Sequence, residues 1–258
     1  MNELLQKLPK VSAVALELLS TEEMIEVDHL MTDELKIELI QMMENAGRNL
    51  ARLCVHRFLH DPQSKRVMVM AGTGGNGGGA LVAARRLHQW GAEVSVMTTK
   101  PDEAYSGVPA HQLGILRRLG VEINSTELPD SESDAVLKPD IILDGLIGYS
   151  LKGTPRGRAA ELMAWANAVD STVLALDTPS GLDSTTGEAH VPAIVADSTM
   201  TLALPKAGLL LARAQPYVGE LYLSDIGVPD WVYRKIGRES ELGKMFVHSD
   251  IVRITLDS

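Results

Sequence analysis

The spacing of apolar residues changes period several times along the chain. Leu35, Leu39, Met42, Met43, Ala46, Leu50 and Leu53 recur at intervals of mostly three and four, which predicts a long helix with one apolar face. Thr32-Asp33 is its expected start. Just before it, Ser20 with Glu23 three residues on fits a capping box and predicts a short helix to about Leu30. Short apolar runs then alternate with helical stretches. Strands are expected at Val67–Ala71, Glu93–Thr98, Ile141–Leu143, Thr172–Leu176, Ala196–Leu204 and Gly219–Leu223. Helices are expected after the first glycine-rich loop, near Gly107–Leu119, at Arg158–Val169 and at Pro229–Ile236. Strands that alternate with helices predict right-handed crossovers and a mainly parallel sheet. Low aromatic content and alanine-rich helices suit a three-layer sandwich in one domain spanning residues 1–258. Within it, 21–231 reads as the core, 1–20 as an N-terminal extension and 237–258 as a C-terminal appendage with a late apolar patch, Ile251–Ile254.

The chain is organised around Val67–Leu87. An apolar run leads into Gly72–Gly79, where six of eight residues are glycine, and then into an Ala/Leu/Arg-rich helix. Strand, glycine loop and helix in that order aim backbone N–H groups and the positive end of a helix dipole at an anion. Gly72, Gly74 and Gly77 satisfy G-x-G-x-x-G. A dinucleotide-binding unit also wants a carboxylate at the end of the next strand, and here that strand ends in Thr98-Thr99-Lys100. No Lys follows the glycines, so the P-loop pattern is absent. An ordinary nicotinamide dehydrogenase is disfavoured, and a tight turn of packing glycines is the plainer alternative.

Two further strand ends carry chemistry. Ile141–Leu143 runs into Asp144-Gly145, and Thr172–Leu176 into Asp177-Thr178-Pro179-Ser180-Gly181-Leu182-Asp183. Each delivers a carboxylate to the edge of the sheet where ligands of α/β proteins sit. Asp177 is the leading candidate for proton exchange, and it also suits capping of the turn at Pro179-Ser180-Gly181. Gly148–Gly157 is a second glycine-bearing loop whose Lys152, Arg156 and Arg158 suit either a phosphate or a solvated surface. His56 and His60 stand four apart without a third ligand, which favours ordinary helix histidines over a metal pair.

Bulk properties narrow the class. A net charge of −10 argues against nucleic acid as a partner. The single cysteine, Cys54, leaves no internal disulfide and fits a reducing compartment. The N-terminal apolar patch is too short to span a bilayer and lacks a convincing cleavage site. A cytoplasmic protein with no membrane association is expected.

Met43-Glu44-Asn45-Ala46-Gly47, the glycine loop with Leu81–Arg85, Asp144–Gly148, Asp177–Asp183 and Pro205-Lys206 occur in the order and spacing of the YjeF N-terminal domain family. The chain resembles that family from about Thr21 to about Trp231. The resemblance implies a Rossmann-like three-layer α/β/α sandwich, a homodimer, and NAD(P)H-hydrate epimerase activity. Such an isomerase interconverts the R and S forms of hydrated NADH and NADPH for metabolite repair, and a separate dehydratase in the same pathway restores the cofactor. It further implies a potassium ion held by Asn76, Asp144 and Ser180, substrate contacts from Gly75, Asn76, Gly77, Gly78 and Gly79 and from Gly148, Tyr149, Ser150, Leu151, Lys152, Gly153 and Thr154, and a catalytic, substrate-contacting Asp177. Oxygen ligands from Asn, Asp and Ser suit an alkali cation rather than zinc. The chain departs from the family loop in three places: Gly75 replaces its first Asn, Gly79 its Asp, and Ala80 the next Gly. Those departures keep open a different reading, a non-catalytic nucleotide-binding or dimerisation module like the YjeF N-terminal domain of the messenger-RNA decapping enhancer. A transferase on the same fold finds no base–nucleophile pair to support it.

Overall fold

The computed structural model describes residues 8–128, 138–239 and 242–256. The expected acidic loop Asp130–Asp134 lies outside them. In chain order the elements are β1 (Lys10–Ser12), α1 (Thr21–His29), α2 (Leu39–Cys54), β2 (Arg66–Ala71), α3 (Gly75–Gln89), β3 (Glu93–Thr98), α4 (Gly107–Arg118), β4 (Glu122–Asn124), β5 (Ile141–Gly145), α5 (Gly157–Ala168), β6 (Thr172–Leu176), β7 (Ser198–Leu202), α6 (Gln215–Val218), β8 (Glu220–Ser224), α7 (Asp230–Lys235), α8 (Leu242–Met245) and β9 (Ile251–Thr255). Among the described residues the strands form one sheet in the order β1-β9-β8-β7-β6-β5-β2-β3-β4. Every neighbouring pair is parallel except β8 with β9.

Helices cover both faces, as the alternation within the central strands requires. Val67, Val69 and Leu143 meet Leu50, Leu81, Leu87 and Leu116 of α2, α3 and α4 on one side. Met68, Met70 and Ile142 meet Leu162, Met163 and Trp165 of α5 on the other. A third cluster joins α1 and α7 to β8 and β9 through residues such as Val27, Tyr233, Leu223 and Ile254. The architecture is thus an α/β/α sandwich on a mainly parallel sheet. Among the described residues no helix is long and apolar enough to cross a membrane.

Four local expectations differ from the structure. The helix expected from Thr32-Asp33 starts at Leu39, because α1 runs on through a wide turn at Leu30–Glu34 and Glu38 with Gln41 forms the operative capping box. His56 and His60 do not share a helical face: the chain leaves α geometry at Val55, and His60 has φ 59°. The strand expected over Ala196–Leu204 is shorter, Ser198–Leu202, because Ala203 turns at φ 63°. The terminal segments expected as an extension and an appendage supply β1 and β9 to the same sheet. β1 and β4, at three residues each, are too short for a periodic signal, and β1 and β9 gain their backbone partners only from the sheet.

The strand order places a switch point between β2 and β5. From β2 the chain winds outward through β3 and β4; from β5 it winds the other way through β6, β7 and β8. The loops after β2 and β5 therefore diverge and leave a crevice at the carboxyl ends of the strands.

Candidate active site

A cavity of about 590 Å³ occupies this crevice. Its walls are the loop and first turn of α3, the loop after β5, the ends of β6 and β7, and the apolar faces of α1 and α2.

The glycines are not a free loop. Gly75–Gly79 are the opening turn of α3, and Gly74 precedes it in extended geometry. The opening N–H groups of that helix have no intrahelical acceptor, and its first turn lies against the cavity. Gly74, Gly75, Asn76 and Gly79 line it, whereas Gly77 and Gly78 are buried behind it. A Cβ on Gly77 would stand 1.8 Å from the Gly72 carbonyl oxygen, and one on Gly78 would stand 2.4 Å from Met43 Sδ. These two glycines let the turn close on itself and on α2. A Cβ at Gly79 faces Leu176 and Ala46, so this chain keeps an apolar wall at that position.

Asp177 follows β6 with φ 66°, a left-handed conformation that Asp tolerates better than most residues and that turns its side chain out of the sheet. Such backbone strain gathers at functional sites. Its amide donates to the Met200 carbonyl at 2.7 Å. The carboxylate is 3% exposed and accepts from the Tyr149 amide at 3.1 Å through Oδ2. Its Oδ1 is ion-paired with the ammonium of Lys206, a side chain with no exposed surface. Lys206 Nζ also donates to the Leu202 carbonyl at 2.9 Å and lies 5.9 Å from the centre of the Tyr149 ring. Gly148 separates Asp177 from Asn76: a Cβ there would stand 3.1 Å from Asp177 Oδ2 and 3.3 Å from Asn76 Cγ. The crossing of the two loops needs a residue without a side chain at that point.

Asp144 lies deeper. It is fully buried, stands one residue before the end of β5, and does not line the cavity. Its Oδ1 accepts from Ser180 Oγ at 2.6 Å and the Leu146 amide at 3.1 Å, and its Oδ2 from the Ser180 amide at 2.8 Å. Burial pushes its carboxyl up to about 6, against hydrogen bonds from Ser180 and Leu146 that favour the charged form. The structure therefore does not set the two carboxylates side by side over the glycine turn. Asp177 faces the cavity, while Asp144 anchors the floor through Ser180.

The expected second substrate loop divides. Gly148, Tyr149 and Ser150 line the main cavity with Arg156 and Arg158. Leu151, Lys152, Gly153 and Thr154 rim an adjoining depression of about 410 Å³. Lys100, at the end of β3, shares the main cavity with the two arginines. Arg158 is partly committed, donating to the Glu127 carbonyl at 2.6 Å.

Two site residues escaped the sequence reading. Lys206 was visible as Pro205-Lys206 but carried no sign that it would pair with Asp177. Asp28, on α1, lines the cavity, and its Oδ2 accepts from the Tyr149 hydroxyl at 2.5 Å. Burial raises the Asp28 carboxyl above its ordinary value, against the Tyr149 hydrogen bond. Burial and the nearby Asp28 and Asp177 charges raise the Tyr149 phenol. In sequence Asp28 is one more polar residue on a short amphipathic helix.

Fold and site together define an α/β sandwich with a cavity at its switch point, lined by Lys100, Arg156 and Arg158 and by a buried carboxylate–ammonium pair. Residues 39–208 match the family described as YjeF-related protein N-terminus, and the chain belongs to that family. It is 41% identical over 232 residues to an NAD(P)H-hydrate epimerase of Dehalogenimonas lykanthroporepellens, with 90% of each chain covered. It is 33% identical to a bifunctional NAD(P)H-hydrate repair enzyme of Moorella thermoacetica, across 82% of this chain and 41% of that one. The crystal structure of the yeast protein YNL200c shares the fold, with a TM-score of 0.74 and 24% identity over 92% of this chain and 100% of the yeast chain.

Proposed function

We propose that this protein is an NAD(P)H-hydrate epimerase. The observation that carries the reading is the meeting of three elements at Gly148. These are the α3 N-terminus with Asn76, the β5 loop, and an Asp177 carboxylate held by a buried lysine. They stand in a chain 41% identical to such an enzyme along 90% of its length.

In a hydrated nicotinamide the hydroxyl-bearing ring carbon is also bonded to the ring nitrogen. Inverting that carbon requires a bond to it to break and re-form on the other face; when the carbon–nitrogen bond is the one that breaks, the hydroxyl proton is removed and later returned. Asp177 takes and returns that proton; in support, its carboxylate lines the cavity and is ion-paired with Lys206. The α3 N-terminus and the Lys100, Arg156 and Arg158 side chains hold the dinucleotide phosphates.

Asn76, Asp144 and Ser180 fit an alkali cation such as potassium. Among the described residues the hydrogen-bond partners of buried Asp144 are neutral, and Asn76 Nδ2 is buried without an acceptor, so no bond from that nitrogen opposes a turn of the amide that presents its oxygen to a cation. When bound, the ion supplies positive charge beneath the site. The reading extends to a cytoplasmic homodimer whose product passes to a separate dehydratase.

The test mixes purified protein with a single hydrate epimer, with and without potassium, and follows exchange by chromatography or NMR. Acceleration over buffer, lost in Asp177→Asn while the fold is retained, is the expected result. Nucleotide binding without exchange would instead favour a non-catalytic module.

A further inference from the structure

Asp177 accounts for one proton. Opening the ring at the hydroxyl-bearing carbon needs a second one, because the ring nitrogen leaves with the electrons of the broken C–N bond. A donor that lines the same cavity as Asp177 would supply it. Among the described residues, the second carboxyl that lines the cavity is Asp28.

Asp28 and Asp177 are held in one network. The Asp28 carboxyl accepts from the Tyr149 hydroxyl at 2.5 Å, the Tyr149 amide donates to Asp177 at 3.1 Å, and Lys206 pairs with Asp177 while lying 5.9 Å from the Tyr149 ring. The environments differ. Asp177 has a direct cationic partner; Asp28 has a neutral phenol. Two carboxyls in one site with unlike partners divide into base and acid.

We infer that Asp28, with Tyr149 bonded to it, is the general acid of this site. The inference rests on the epimerase reading. Asp177 removes the hydroxyl proton, and the O–H electrons form the carbonyl. The carbon–nitrogen bond breaks with its pair going to nitrogen, and Asp28 gives nitrogen its proton. Tyr149 donates to the carboxylate that remains. After rotation of the aldehyde the nitrogen attacks its other face, returns its proton to Asp28, and Asp177 returns the hydroxyl proton. No oxidant, reductant or other reactant enters.

The groups facing Asp28 are Tyr149 from the β5 loop, Asp177 after β6 and Lys206 after β7. Burial keeps Asp28 protonated to higher pH than an ordinary aspartate, which is the form a donor needs.

The experiment measures epimer exchange against pH for wild type, Asp28→Asn and Tyr149→Phe. Asp28→Asn keeps an acceptor for the Tyr149 hydroxyl but has no proton to give. Its kcat is expected to fall about 10²- to 10⁴-fold with KM little changed. In wild type, activity falls at high pH as Asp28 ionises. Tyr149→Phe removes the hydrogen bond that favours the carboxylate, so this alkaline limb moves to higher pH. A purely structural tyrosine would lower activity without moving the limb.

Asp28→Asn within threefold of wild type overturns the inference and leaves the epimerase reading standing. Should that variant not fold, an unmoved alkaline limb in Tyr149→Phe overturns it equally. A wild type that exchanges no epimer overturns both.

Discussion

Replacing Lys206 with Met removes the ammonium and keeps most of the side-chain volume. Asp177 is then left as a bare charge at 3% exposure, and the Leu202 carbonyl loses the donor it had at 2.9 Å. Removing one partner of a buried ion pair costs about 3–5 kcal/mol, and an orphaned buried acceptor adds about 1–3 kcal/mol. The expected loss for Lys206→Met is therefore about 4–8 kcal/mol, near the whole stability of a marginal domain. Asp177→Asn alone leaves the opposite charge unpaired and is expected to cost about 3–5 kcal/mol. The double variant buries no net charge. Its loss should fall short of the summed single losses by about 2–3 kcal/mol. Urea unfolding of all four proteins at neutral pH reads each term. A Lys206→Met loss under about 1 kcal/mol, or strictly additive variants, would refute the view that this pair is a dry, mutually dependent unit.

The remaining predictions concern the turn, the floor and α1. Gly77→Ala drives a Cβ to 1.8 Å from the Gly72 carbonyl oxygen and should cost at least about 2 kcal/mol and weaken nucleotide binding, whereas Gly74→Ala meets nothing within 4 Å and should stay within about 0.5 kcal/mol of wild type; thermal unfolding and titration calorimetry separate the two. Asp144 is pushed from 3.8 to about 6 on folding, so the folded state holds its proton more tightly. At about 1.4 kcal/mol per pH unit, ~3 kcal/mol of stability should be lost between about pH 4 and pH 6 and then level off. A cation, if held by the carboxylate as proposed, would restore stability above that window. Potassium should thus raise the melting temperature more at pH 8 than at pH 5, and Asp144→Asn should abolish the difference. Ser20→Ala removes a reciprocal cap on α1 and should cost about 1 kcal/mol in urea unfolding.

The chain announces its helices and central strands because each is decided within a short window. Ser20 and Glu23 meet within one helical turn, as the cap on α1 shows. The alternation of Val67, Met68, Val69 and Met70 already states that both faces of β2 are buried, and the structure assigns odd and even positions to opposite layers. Asp144 and Asp177 were legible for a related reason. An apolar run that stops at an Asp delivers that residue to a strand end, and a parallel sheet gathers such ends on one edge.

What the local pattern did not contain was partnership. Asp28 and Tyr149 are separated by 121 residues, and Lys206 and Asp177 by 29. A pair of charges carries no periodicity that would mark it in advance. Nor could spacing alone set Asp144 beneath the cavity and Asp177 within it, because that depends on the left-handed turn at Asp177 and on the depth at which each strand ends. The segments at 10–12 and 251–255 read as tails until the sheet edge offers them hydrogen-bond partners. Elements were written in the sequence because their energetics are local. The site, its buried lysine and its second carboxyl were decided by tertiary structure, because burial and pairing exist only once distant segments are brought together.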